Sequence, residues 1–284
     1  MTRLGLWLLR QLCRLPRPLI ARLGSTLGLV AYYVGSAHVT RVNLRLCFPS
    51  LSEAELNRRA RAQFRAIGRS LLEQAVVWWS APESLRRQVS LVGREHLDAV
   101  RDQPVILLAP HFVGIDFGGA RVALDFPCAS IYSRQKNPEV DRLLHASRAR
   151  FGPLVARQEG LRPVVRHLRN KVAFYYLPDM DFGARDAVFV PFFGVPAATV
   201  TALSRLARLT NARVVPCVTR QLPEAGRYEA RLYPAWENFP TDDLAADAER
   251  MNRFIEERVR EMPEQYFWVH KRFRSRPDGG RNPY

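Results

Sequence analysis

Val105-Ile-Leu-Leu-Ala-Pro110, running straight into His111-Phe-Val-Gly-Ile-Asp116, is the stretch that decides how this chain folds. A short, unbroken apolar run reads as a strand buried on both faces, the habit of a parallel sheet covered by helices. Pro110 ends the run and His111 follows at once. The imidazole is therefore expected at the C-terminal edge of the sheet, where open α/β folds gather their chemistry. On a regular helix five residues turn roughly 500°, which would set the His111 and Asp116 side chains about 140° apart. A turn at Gly114, whose backbone takes positive φ freely, would let Asp116 reach one imidazole nitrogen. The carboxylate would then fix the tautomer and leave the other nitrogen as a general base. Alone the pair is a weak pattern, since any chance histidine near a surface acid reproduces it.

Outward from this stretch the chain alternates. Strands are expected at 104–109, 128–132, 172–177, 213–219 and 228–233. Helices are expected at 115–124, 138–150, 161–169, 199–209 and 243–261. Such alternation predicts an α/β sheet with helices on its faces. Upstream, Leu56, Ala60, Phe64, Ile67, Leu71, Ala75 and Trp78 recur at helical spacing, with Arg58, Arg61, Arg65 and Arg69 on the other side. This predicts one long helix over 53–79, capped by Ser52 and closed by Trp78-Trp79, which are read as core. Pro178 to Gly183 and Pro191 to Pro196 carry loop chemistry, and Thr199 or Thr201 is a candidate cap for the next helix.

The 284 residues carry a net charge of +16, and of 43 basic residues only Lys136, Lys171 and Lys271 are lysine. A genome rich in arginine codons would account for the choice of arginine, but not for the excess charge. That excess draws polyanions: nucleic acid, anionic lipid, phosphorylated substrates or an acidic carrier. Arginine suits bidentate binding of phosphate and carboxylate. Cys13, Cys47, Cys128 and Cys217 are scattered without metal-ligand spacing and read as reduced packing residues.

Residues 1–40 stand apart. Leu4 to Leu9 is apolar around Trp7; Arg10, Arg14 and Arg17 follow; a second apolar stretch from Leu19 to Val34 is broken by Arg22. Neither stretch reaches the ~18–20 uninterrupted apolar residues of a spanning helix. Arginine beside Trp and Tyr fits an interfacial helix, and the plain alternative is an amphipathic helix on the domain's own core. The expected organisation is an N-terminal membrane-associating segment, 1–40, and a second domain, 41–284.

Several segments together resemble one family. His111 to Asp116 is similar to the H-x4-D/E box of the lysophospholipid acyltransferase superfamily. Asn43-Leu-Arg-Leu-Cys-Phe-Pro49, Tyr132-Ser-Arg-Gln-Lys-Asn-Pro138, Pro178-Asp-Met-Asp-Phe-Gly183 with Val188 to Gly194, and Pro263-Glu-Gln-Tyr-Phe-Trp-Val-His-Lys-Arg-Phe273 follow in order. These resemble the lipid A biosynthesis acyltransferases, the late lauroyl and myristoyl acyltransferases of Gram-negative bacteria, from about residue 40 onward. One departure is Ser133, which stands directly after Tyr132 where many relatives have Arg; Arg134 follows it. Another is the carboxylate of the first box, Asp here and Glu in some relatives.

The resemblance implies a glycerolphosphate-acyltransferase-like α/β sandwich with an N-terminal membrane-associated helix on the cytoplasmic face of the inner membrane. It implies O-acyl transfer from acyl carrier protein to a hydroxyl of a lipid A precursor, with no metal or organic cofactor. His111 would be the base and Asp116 its orienter. Arg134, Arg148 and Arg157 would hold phosphate or the oxyanion, and Asp179 and Asp181 would position sugar hydroxyls or those arginines. For Arg148 a solvated helix face, and for the two aspartates plain turn chemistry, are the competing expectations. His145 and His167 are expected in solvent. His270, and the Arg272, Arg274 and Arg276 cluster, are read either as structural or solvated or as substrate and carrier contacts. The same chemistry on a lysophospholipid or aminoacyl lipid stays open. A basic nucleic-acid-binding protein is the rival of another class, though no zinc-finger spacing or basic tail supports it. A serine hydrolase is disfavoured because G-x-S-x-G does not occur.

Overall fold

In the computed structural model, which describes residues 2–79 and 81–284, the chain opens with helices α1 (Thr2–Leu12), α2 (Arg17–Ala31), α3 (Ala37–Cys47), α4 (Glu53–Trp79) and α5 (Pro82–Gln88). Strand β1 (Val89–Val92), α6 (Arg94–Asp98), β2 (Val105–Leu108), α7 (Ile115–Ala123), β3 (Cys128–Tyr132), α8 (Pro138–Ala149) and β4 (Leu154–Ala156) follow. Then come α9 (Arg162–Arg169), β5 (Ala173–Tyr176), the hairpin β6 (Ala187–Phe192) and β7 (Val195–Val200), α10 (Ala202–Thr210), β8 (Arg213–Gln221), β9 (Tyr228–Leu232) and α11 (Leu244–Glu261).

Seven strands form one mixed sheet in the order β1-β9-β8-β2-β5-β3-β4, parallel throughout except where β8 meets β9. The decisive run is its central strand. Every residue of β2 is buried, with Ile106 and Leu108 packing on one face and Val105, Leu107 and Ala109 on the other. This two-residue alternation is hidden in the sequence because both faces are apolar. The first face lies under α3, α4, α9, α10 and α11, through Leu44, Leu56, Val164, Leu206 and Ile255 among others. The second lies under α6 and α7, through Leu97 and Val122. The mixed α/β architecture expected from the alternation is therefore the one observed.

Local chemistry sets the helix bounds. Ser52 and Glu55 cap each other at the start of α4: the Glu55 amide donates to Ser52 Oγ (3.3 Å), and the Ser52 amide donates to Glu55 Oε2 (3.0 Å). This reciprocal box satisfies two amides that the first turn leaves bare. Asn137 and Asp243 cap α8 and α11 by accepting from the amides two and three residues on.

Two expectations fail in the same region. The stretch Pro191 to Pro196, read as a loop, is the tip of the β6–β7 hairpin, where Phe193 and Gly194 both take positive φ (52° and 76°). A two-residue turn of that hand matches the twist of the strands. Pro191 faces Pro196 in the register of this isolated ladder, so prolines that argue against a central strand are tolerated here. The following helix consequently starts at Ala202 rather than 199; Thr201 stands at its N-cap position, but neither threonine hydroxyl caps it, since they donate to Ala197 O and Asp186 O.

The N-terminal helices pack on the rest of the chain. α2 crosses α4 at backbone contact: a methyl added at Gly68 would lie 2.3 Å from Gly24 O, and one at Gly28 would lie 2.0 Å from Phe64 O. Ile20, Ala21, Gly24 and Gly28 form the buried side of α2, whereas Leu19, Leu23, Leu27 and Val30 are exposed, as are Leu4, Trp7 and Leu8 of α1. The bulkier apolar face thus points outward. No helix among the described residues is long and apolar enough to cross a membrane.

Candidate active site

Because β2 and β5 are parallel neighbours with Leu108 paired to Tyr176, the residues three positions beyond each, His111 and Asp179, emerge at the same edge of the sheet. Ala109 N–H donates to Tyr176 O (2.8 Å) and extends that pairing past the ends of both strands. The result is a close pair. His111 Nδ1 lies 2.7 Å from Asp179 Oδ1, and the His111 amide donates to both carboxylate oxygens (3.2 and 3.0 Å). The Asp179 side chain is fully buried and His111 is 16% exposed. Desolvation pushes the Asp179 carboxyl upward, but the charge and hydrogen bonds of His111, with His270 behind, outweigh it and hold the group well below the usual carboxylate range. With Nδ1 engaged, Nε2 is the nitrogen left for a substrate.

Asp116, by contrast, turns away from His111. Gly114 does take positive φ (84°), and α7 starts immediately after it, so the expected turn is present. Tyr228 explains why no side chain fits there, since a Cβ on Gly114 would lie 2.5 Å from its ring. Yet the Asp116 carboxylate meets Arg148 of α8 at 2.8 Å and accepts from Gln74 of α4. Thus Asp179, not Asp116, contacts the imidazole in this structure, and the box brings together a histidine and an arginine ligand instead.

His111, Asp116, Arg148 and Gln74 line a single cavity of about 330 Å³. Its remaining walls are largely apolar or small: Val77 and Trp78 of α4, Gly119, Ala120 and Ala123 of α7, then Cys128, Ile131, Phe151 and Leu177. Polar groups, with Ser130, Ser133, Gln135 and Ser147 among them, thus share the lining with apolar side chains, the general form of a site for an apolar substrate with a reactive polar head. Trp78, read as core, is half-buried and forms part of this wall. Cys128 is no nucleophile: burial pushes its thiol up to about 12.

The C-terminal signature braces the pair from behind. Phe267 N–H donates to His111 O (3.0 Å), and Val113 N–H donates to Gln265 O (2.7 Å). His270 stands between two carbonyls, with Nδ1 2.5 Å from Phe267 O and Nε2 3.1 Å from Asp179 O. Asp181 accepts from Ser275 N (2.6 Å), Ser275 Oγ (2.8 Å) and Gly183 N (2.9 Å), which ties its loop to the same segment. Asn43 of the early segment donates to Trp268 O and His270 O (2.7 and 2.8 Å). The distant motifs therefore converge on one edge of the sheet.

The expected cationic residues divide. Arg148 faces the cavity, while Arg134 is exposed and lines an adjoining groove with Lys136, Arg142 and His145. Arg157 lies over the Phe182 ring at 4.6 Å, near the Asp181 loop. Arg272 leaves the proposed surface cluster: it is fully buried, donating to Ala198 O (2.8 Å), Thr199 Oγ1 (3.0 Å) and Asn252 Oδ1 (3.3 Å), and so joins the hairpin to α11. His145 is exposed as expected, whereas His167 is half-buried. Gln74 was missed; nothing in a long amphipathic helix distinguishes one half-exposed glutamine from the next.

Residues 1–275 match the sequence profile of the bacterial lipid A biosynthesis acyltransferases. The chain belongs to this family. Like its family it is an acyltransferase. Among its relatives are the lipid A biosynthesis lauroyltransferase of Escherichia coli, 33% identical over 98% of this chain and 93% of that protein, and the myristoyltransferase of the same organism, 32% identical over 94% and 83%. The Escherichia coli palmitoleoyltransferase is 29% identical over 100% of this chain and 94% of its own length. A solved 1-acyl-sn-glycerophosphate acyltransferase from Thermotoga maritima aligns with 84% of this chain and 97% of that one, at 15% identity and a TM-score of 0.41.

Proposed function

We propose that this acyltransferase moves a fatty acyl chain from acyl carrier protein to a hydroxyl of a lipid A precursor, with His111 as the general base and Asp179 as the residue that orients it. The observation that carries this reading is the register-matched His111–Asp179 pair, with His111 in the wall of a partly apolar cavity. The imidazole Nε2 takes the proton of the acceptor hydroxyl as its oxygen attacks the thioester carbonyl carbon. The tetrahedral intermediate then collapses, the carbon–sulfur bond breaks, and the imidazolium returns the proton to the departing thiolate. The products are an ester and a free carrier thiol. Asp179 fixes the tautomer and stabilises the transient imidazolium, as the carboxylate does in a hydrolase triad. The thioester supplies an activated acyl group, so the chemistry calls for no cofactor.

Arg148, in the cavity wall, is suited to an anionic oxygen, whether the oxyanion or a phosphate of the acceptor. Arg134 and Arg157 are exposed and extend the positive rim toward an acidic carrier or a phosphorylated acceptor. The outward apolar face of α1 and α2 favours docking on the cytoplasmic face of the inner membrane, with arginines such as Arg10, Arg14 and Arg22 near anionic headgroups.

Purified protein incubated with lipid A precursors and acyl carriers, read by mass spectrometry, tests the reading. One added acyl chain on the precursor is expected, abolished by His111→Ala with folding intact. Acylation only of a lysophospholipid or aminoacyl lipid would overturn the acceptor, and turnover by His111→Ala would overturn the base.

A further inference from the structure

Asp116 occupies the first turn of α7, where the helix dipole favours a carboxylate, and its oxygens are shared by two other helices. A single Arg148 nitrogen, Nη2, makes both contacts, at 2.8 Å to Oδ1 and 3.1 Å to Oδ2. Nη1 and Nε are therefore not spent on Asp116. The Gln74 amide also donates to Asp116 Oδ2. Gln74 is itself well placed to act as a fixed point. Its neighbour Glu73 is buried and anchors α4 to the β8–β9 turn, accepting from Gly226 N (2.8 Å), Tyr228 Oη (2.5 Å) and Arg69 Nε (2.9 Å). The Asp116 and Arg148 side chains are 31% and 36% exposed, so solvent screens the pair and it contributes little to stability. An arginine at such a site otherwise samples many rotamers, and ordering it on the substrate would cost entropy at each turnover.

We infer that Asp116 and Gln74 are positioning residues that act through Arg148, not through His111. They hold the guanidinium at the cavity wall with its remaining N–H groups turned to an anionic substrate oxygen. Asp116 supplies the charge that fixes one nitrogen, and Gln74 fixes Asp116 without adding charge. The inference rests on the acyl-transfer reading for its consequence in rate, but not for its geometry.

Double-mutant cycles on the full-length protein test it in single-turnover transfer assays. Asp116→Ala and Gln74→Leu are each expected to slow transfer about tenfold or more, with melting temperature nearly unchanged. In an Arg148→Ala background both losses should vanish; in an Asp179→Asn background they should persist. A loss in kcat identifies the tetrahedral oxyanion as the ligand of Arg148, and a rise in KM for the acceptor identifies its phosphate; either supports the inference. Losses that persist undiminished without Arg148, or vanish without Asp179, overturn it. A readout free of turnover separates this failure from failure of the acyl-transfer reading. The Arg148 Nε–H resonance, assigned by its loss in Arg148→Lys, should report an ordered side chain in the unmodified protein and a mobile one in Asp116→Ala and Gln74→Leu. An Arg148 side chain equally ordered in both variants overturns the inference whether or not transfer is seen.

Discussion

His111 and Asp179 lie 68 residues apart in the chain, yet the imidazole Nδ1 and the carboxylate are 2.7 Å apart, because each follows by three residues a pair matched across two parallel strands. The sheet register, more than any local turn, makes this contact. A one-residue slip between β2 and β5 would move the carboxylate about 3.3 Å along the strand and break it. The motif's own acid, Asp116, is thereby released to serve Arg148.

Asp179→Asn should leave the fold intact and lower the transfer rate by roughly 10³- to 10⁴-fold, the scale seen when a triad carboxylate becomes an amide and its histidine loses the working tautomer. Near-normal folding is expected because the amide oxygen still accepts from the His111 amide at this position. Single-turnover acyl transfer, with circular dichroism as the control, measures it. A rate within tenfold of the unmodified protein would show that Asp179 does not orient the base.

His270 makes stability fall as the solution is acidified. Burial pushes its imidazole down to about 4, with His111 and Arg272 adding to the effect and the Asp179 carboxylate opposing it. The unfolded chain then takes up a proton near pH 6.5, before the folded one does. The contribution is therefore whole above about pH 6.5 and is lost as pH falls toward 4, amounting to about 3 kcal/mol in all and about 2 kcal/mol by pH 5. Denaturant unfolding of the unmodified protein and of His270→Phe at pH 7 and pH 5 isolates this share, since the other histidines cancel in the difference. An equal drop in both proteins would mean that His270 takes up its proton at the same pH in the folded and the unfolded chain.

The sequence was most legible where one period dominates. The long helix at 53–79 and the strand at 128–132 have the expected bounds, because seven apolar positions at helical spacing, or a short stretch ending in Ile131-Tyr132 between Pro127 and a polar turn, mark their own ends. The short edge strands β1 and β4 escaped, having too few residues to show a period. The hairpin escaped because Pro191 and Pro196 signal a break, and only its separation from the main sheet makes them admissible. At the site, the family segments pointed to His111, Arg148 and Asp179, but their pairing depends on strand order, which a single sequence does not display. Arg272 was misread for a related reason: in Arg272-Phe-Arg-Ser-Arg276 every second residue is arginine, and nothing local says which one enters the core.

Gly68→Ala inverts the usual sign. In an ordinary helix interior this change stabilises by about 0.5–1 kcal/mol. Here the added methyl would meet the Gly24 carbonyl at 2.3 Å and Gly28 Cα at 2.7 Å, backbone atoms that cannot swing aside. Prising α2 from α4 should cost about 1–3 kcal/mol, in line with overpacked cores elsewhere. Thermal unfolding in detergent measures it, and a melting temperature equal to or above that of the unmodified protein would show that the two helices do not cross this closely.

The outward face of α2 gives the last prediction. Leu23 and Leu27 are 39% and 57% exposed one turn apart, while the side that meets α4 is built of small residues. Paired substitution to glutamate removes apolar area and places negative charge beside Arg22, so both the hydrophobic and the electrostatic parts of vesicle binding fall. Since neither leucine is buried, the fold should survive. In flotation with phosphatidylglycerol-containing vesicles, the double variant is expected to stay with the soluble fraction where the unmodified protein floats. Raising salt should release the unmodified protein only in part, because burial of Leu and Trp persists when the charges are screened. Flotation of the double variant to the same extent as the unmodified protein would remove α2 from the membrane-facing surface.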